Sequence, residues 1–140
     1  MTRNDIAAMF ARRDEAFGRM DAQALAADYA DDAVIDSPTA GTHRGSAAAA
    51  HALDAVFGAF ADMTLTTDSR LIDGNRVVDV LTIEGTNIGG LMGLPPSGKR
   101  FHLPAVFLYE LRRGQIIRER RIYDFTGLLV QVGVLKAKPA

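Results

Sequence analysis

Asp124 is the residue in this chain placed to do chemistry: a carboxylate near the end of an otherwise hydrophobic strand pattern, followed at once by an apolar helix pattern running to Gly133. Desolvating an ionised carboxylate is costly. An acid in such surroundings is paired, exposed by a twist, or held at a raised pKa for proton transfer. We take the third as the working expectation. Alternation along the strand puts Arg118, Arg120, Ile122 and Asp124 on one face and Ile117, Glu119, Arg121, Tyr123 and Phe125 on the other. The Asp124 side is assigned to the interior, where Phe17 or Tyr29 would exclude water.

His102 opens a strand on the same face as Arg100, Pro104 and Val106. Its imidazole is suited to donate to a substrate carbonyl or to serve as a second proton-transfer group. Asp36, between Ile35 and Ser37 and ahead of Pro38, either contacts a polar substrate edge or caps the following turn. His43 sits in a Gly-flanked loop and His51 lies opposite the apolar stripe of its helix, so both are expected to face solvent.

The three histidines lack close metal-ligand spacing, so no metal is expected. Gly93 to Arg100 mimics a phosphate-binding loop. It fails as one: Arg100 stands where Ser or Thr should meet magnesium, two prolines remove amide donors, and a strand pattern follows in place of a helix. Gly89 to Gly98 reads instead as a mouth loop, with Leu91, Met92 and Leu94 covering an apolar ligand.

The elements that position these residues follow from periodicity. A helix over about Asn4–Met20, capped by Asn4 or Asp5, carries Ile6, Met9, Phe10, Phe17 and Met20 near one face, with Arg12, Arg13, Glu15 and Arg19 mostly elsewhere. A short helix from Asp21 through Tyr29, a strand from Ala33 to Pro38, a Gly41–Gly45 loop and a helix from Ser46 to about Ala61 come next. The period then changes to two. Met63–Ile72 and Arg76–Thr86 flank the turn at Asp73 to Asn75, and Phe101–Leu111 and Gln115–Phe125 flank Arg113-Gly114, giving two hairpins. Thr126 would cap a closing helix that ends at Gly133. The result is an α+β fold.

At 140 residues, 48% hydrophobic and 24% charged, the chain suits one domain spanning residues 1–140 with a real core. Sixteen Lys and Arg against 17 Asp and Glu give a formal charge of −1, which points to neither nucleic acid nor an anionic membrane. The chain has no Cys, which removes disulfides and thiol chemistry. No secretory signal and no apolar run of roughly 18 residues is present, so a cytoplasmic location is expected.

Tyr29 to Pro38, the Gly-rich Met92 to Lys99, and Gly114-Gln-Ile-Ile followed by Tyr123 to Gly133 resemble the SnoaL-like polyketide cyclases of the nuclear-transport-factor-2-like superfamily. The resemblance implies a cone-shaped, curved, mixed or antiparallel sheet wrapped around the N-terminal helices. It further implies acid/base ring closure of the intramolecular aldol type, without cofactor, on an aromatic, carbonyl-rich substrate, with Asp124 as the general acid/base. The cyclases often carry an aromatic, typically Trp, where this chain has Arg120. Pointing inward, Arg120 would bind a substrate carboxylate or pair with Asp124 and lower its pKa.

The expected site is thus Asp124 and His102 as catalytic residues with Phe17, Tyr29, Asp36, Leu91, Met92 and Arg120 on the substrate. The partner is a small hydrophobic or aromatic ligand, and a homodimer through the sheet is expected. Two alternatives on the same fold remain. An epoxide hydrolase or hydratase would need a second carboxylate from Asp36 or Glu84 beside Arg100 and His102. A binding or dimerisation module without chemistry would use outward-facing Phe107 and Tyr109.

Overall fold

The computed structural model describes residues 1–38, 41–90, 93 and 95–136. Three helices, α1 (Arg3–Gly18), α2 (Ala22–Ala26) and α3 (Gly45–Ala59), precede or interrupt six strands: β1 (Tyr29–Ser37), β2 (Gly41–Arg44), β3 (Thr64–Asp73), β4 (Arg76–Thr86), β5 (Arg100–Arg112) and β6 (Gln115–Tyr123). The last element is α4 (Phe125–Gln131). The strands form one sheet in the order β2-β1-β6-β5-β4-β3. Only the β1–β6 pair is parallel; the others are antiparallel. This is the expected α+β architecture, a mixed sheet curved around the helices. No helix among the described residues is long and apolar enough to cross a membrane.

The hairpins form where the turn chemistry demands. Arg113 and Gly114 take φ of 50° and 78°, the left-handed pair that a tight two-residue connection requires. Along β5 burial alternates at every step, with Phe101, Leu103, Ala105, Phe107, Tyr109 and Leu111 turned into the core. Phe107 and Tyr109 therefore cannot supply an outward docking surface. Their partners across the ladder are Arg121 and Glu119, so those two residues of β6 also face inward. The aromatic face, not the Asp124 face, was the one to bury.

Several element ends differ from expectation for local reasons. Thr2 rather than Asn4 or Asp5 caps α1: its hydroxyl accepts from the Asp5 amide and the Asp5 carboxylate accepts from the Thr2 amide, a reciprocal box. The helix expected through Tyr29 ends at Ala26, and Tyr29 already belongs to β1. Residues 41–44 are a strand, not a loop, because β1 has a free edge for them to pair with. Ser46 does not cap α3; its hydroxyl instead donates to the Ala26 carbonyl at 2.7 Å and ties α3 to α2. Arg13 is 2% exposed, at the next position of the stripe that runs through Ile6, Met9 and Phe10.

Candidate active-site cavity

Between α3, α4 and the concave face of the sheet lies a cavity of about 400 Å³, within the range of small-molecule sites. Most of its wall is apolar, with Phe17, Leu53, Phe60, Phe101, Phe107 and Leu128 among the lining residues. The polar lining comes from adjacent strands: His43 on β2, Ser37 on β1, and Arg121 and Tyr123 on β6. His51, exposed on α3, adds a second imidazole. Among the described residues no carboxylate lines the cavity.

The register explains this polar arc. Ile35 pairs with His43 across one edge of β1 and with Glu119 across the other, so inward positions on the three strands are neighbours. Ser37 Oγ and the Tyr123 hydroxyl are 3.4 Å apart. His43 Nε2 is buried without a hydrogen-bond partner among the described residues. A buried ring nitrogen left unpaired is costly, so His43 is the lining residue with hydrogen-bonding capacity still unused among the described residues.

Arg121 enters the cavity with its charge already matched. Its Nε donates to Oε2 of Glu119 at 3.1 Å, its Nη2 lies 3.0 Å from the same oxygen in an ion pair, and its guanidinium lies 5.5 Å from the centre of the Phe107 ring. Glu119 is 1% exposed and sits behind Arg121, off the cavity wall. Burial opposes the charge on Arg121, but the attraction of Glu119 and of the Tyr29 and Tyr109 oxygens outweighs it and holds the pKa above the ordinary range. Deeper still, Arg13 donates to the Leu25 carbonyl at 2.9 Å, to Asp28 at 3.0 Å and to the Tyr29 hydroxyl at 3.3 Å. Burial first, and then the negative charge of Glu119, push Tyr29 up to about 12.

The residues expected to form the site are scattered. Asp124 is exposed and caps α4, its Oδ1 accepting from the Gly127 amide at 2.9 Å. Gly127 suits that cap because a Cβ there would collide with the Asp124 carboxylate. Asp124 takes the capping place expected for Thr126, and the alternation holds with the opposite face buried, so Asp124 lies outside while Tyr123 and Phe125, on either side of it, line the cavity.

His102 is exposed on the outer face, its Nε2 lying 3.7 Å from Glu84. Arg100, on the same face, pairs with Asp62 at 3.3 Å. Asp36 is also outside, accepting from Thr42 at 2.9 Å and from Arg118 at 3.4 Å. Arg120 is exposed and points outward, away from any substrate. Tyr29 is buried in the core and does not line the cavity. Of the expected substrate contacts Phe17 alone does so; Leu91 and Met92 lie outside the described residues.

Capping gives Asp124 a measurable role. Asp124→Ala is expected to cost about 1 kcal/mol of stability, whereas Asp124→Asn, an equally good cap, should be within a few tenths of neutral. Urea unfolding of the two variants checks this. Equal losses in both would show that the carboxylate does more than cap.

The family model for SnoaL-like polyketide cyclases matches residues 7–132. Over 107 residues the chain is 31% identical to nogalonic acid methyl ester cyclase of Streptomyces nogalater, covering 76% of this chain and 78% of that one. IdmH of Streptomyces antibioticus is similar in structure with a TM-score of 0.77, at 28% identity over 91% of this chain and 97% of its own. AclR of Streptomyces galilaeus reaches 0.84 at 23% identity over 99% of this chain and 87% of its own, a likeness that speaks to the fold.

Proposed function

This chain belongs to the SnoaL-like polyketide cyclase family, and from that premise we propose that it closes a ring by acid/base chemistry on a flat, carbonyl-rich, largely apolar substrate. The observation that carries the reading is the polar arc of Ser37, His43, Arg121 and Tyr123 set into an otherwise apolar cavity of about 400 Å³. The relative at 31% identity is named as a cyclase of a methyl ester, in keeping with a substrate of this kind.

In the proposed reaction His43 Nε2 takes the proton from a carbon next to a substrate carbonyl. Imidazole is the side chain whose ordinary titration lies nearest neutrality, which suits it to take and return one proton. Arg121 and the Tyr123 hydroxyl hold the oxygen on which enolate charge develops, and because the proton stays in the site on His43 the net charge of the cavity does not change, unlike on entry of an anion. The enolate carbon attacks a second carbonyl carbon of the same molecule, forming the new C–C bond. The proton on His43 then passes to the resulting alkoxide, so the imidazole ends as it began.

The test is solvent exchange. Incubated in deuterated buffer with an aryl β-diketone too short to cyclise, the chain should speed deuterium uptake at the central carbon above buffer alone, read by NMR. A second reading, a small-ligand-binding module without chemistry, is favoured by the absence of a carboxylate from the cavity wall among the described residues; it predicts binding of the diketone with no faster uptake. The hydrolase alternative loses its support, because neither Asp36, beside Arg118, nor Glu84, beside His102, lines the cavity.

A further inference from the structure

Glu119 is buried behind Arg121, and its Oε2 accepts a hydrogen bond from Nε and an ion-pair contact from Nη2 of that guanidinium before any ligand arrives. Its Oε1 is buried with no hydrogen-bond partner among the described residues. Arg13, the other buried cation near it, is engaged with Asp28, the Leu25 carbonyl and Tyr29. Histidines aside, Arg121 is the one ionisable cation on the cavity wall among the described residues. The cavity therefore offers N–H donors without a net positive charge.

Resting on the reading of this cavity as a site for flat carbonyl compounds, we propose that Glu119 is a specificity-determining residue: it admits uncharged aryl ketones and rejects aryl carboxylates. An entering carboxylate would give up its hydration to an apolar wall and meet a guanidinium that is already neutralised. It would also face the like charge of Glu119 behind that guanidinium. A ketone oxygen needs only an N–H or O–H donor, and Arg121 and Tyr123 stand at the wall. Like charges set against each other in a dry site discriminate strongly between otherwise similar ligands.

The test is titration calorimetry of the full chain at pH 7 with three probes on one ring system: 2-acetylnaphthalene, 2-naphthamide and 2-naphthoate. The ketone and the amide are expected to bind at least about tenfold more tightly than the carboxylate. Glu119→Gln, which keeps an oxygen for Arg121 to donate to, should tighten 2-naphthoate by about tenfold or more and change the ketone by less than about threefold. Carboxylate binding as tight as the ketone in the wild-type chain overturns the proposal, as does rejection of the amide along with the acid, which would make shape the filter. An unchanged ratio in Glu119→Gln overturns it as well. If that variant does not fold, the wild-type ranking of the three probes decides alone. Failure of both uncharged probes to bind would overturn the reading of the cavity itself, a result distinct from loss of charge selectivity.

Discussion

His43→Gln is expected to lower the rate of proton exchange or ring closure by about 100- to 10,000-fold, the usual worth of a positioned proton-transfer group. The expectation rests on a residue that lines the apolar cavity and whose buried Nε2 has no partner among the described residues. His43 lies on an edge strand held to the sheet by β1. Its replacement by another polar side chain should leave stability within about 1 kcal/mol. Single-turnover kinetics and a urea titration on the same preparation separate the two effects. A loss of activity under about threefold would remove His43 from the chemistry, and a matching loss of stability would make it structural. Asp124→Asn is the contrast: its exposed carboxylate is bound to the Gly127 amide, so exchange activity should be unchanged.

The second large effect concerns stability. Glu119→Leu should cost about 3–5 kcal/mol, because it strands the Arg121 guanidinium in the core without its acceptor. With Arg121 at 12% side-chain exposure and Glu119 at 1%, solvent cannot take over the lost contacts. Glu119→Leu combined with Arg121→Met should recover most of that loss, since replacing both members of a buried pair by apolar groups is often close to neutral. Denaturant midpoints at constant slope measure both. A double variant no better than the single one would mean that Glu119 acts through Tyr29, Tyr109 and Arg13 rather than through Arg121. The double variant should also lose exchange activity while staying folded, which separates the pair's part in chemistry from its part in the core.

How far the site was legible can be judged residue by residue. The resemblance over Tyr29 to Pro38 and Tyr123 to Gly133 pointed to the correct family, and strict alternation on β5 placed Phe101 to Leu111 correctly within a hairpin. The step that failed was choosing a face of β6. Both faces carry charge, so hydropathy alone was ambiguous there, and the decision went to the side holding a candidate acid. One cue was available: Tyr123 and Phe125 are aromatic and share a face with Glu119 and Arg121, whereas the Asp124 face offers only Ile122 against two arginines. Arg13 offered a similar cue. Its position continues the stripe through Ile6, Met9 and Phe10 at helical spacing, but a charged side chain is rarely buried, which groups it with Arg12, Glu15 and Arg19, mostly off that face.

His43 was out of reach for a different reason. Residues 41–44 are too short and too Gly-flanked to signal a strand, and they become one only because β1 leaves an edge open. Period, turn residues and family pattern, all local or inherited, were enough to determine an α+β chain with two long hairpins, a closing helix after Tyr123 and a place among the SnoaL-like cyclases. Which side chains meet inside was decided by tertiary structure alone. The parallel pairing of β1 with β6 brings residues some eighty positions apart into register, and the cost of burying charge could be met only after Glu119 found Arg121 and Arg13 found Asp28.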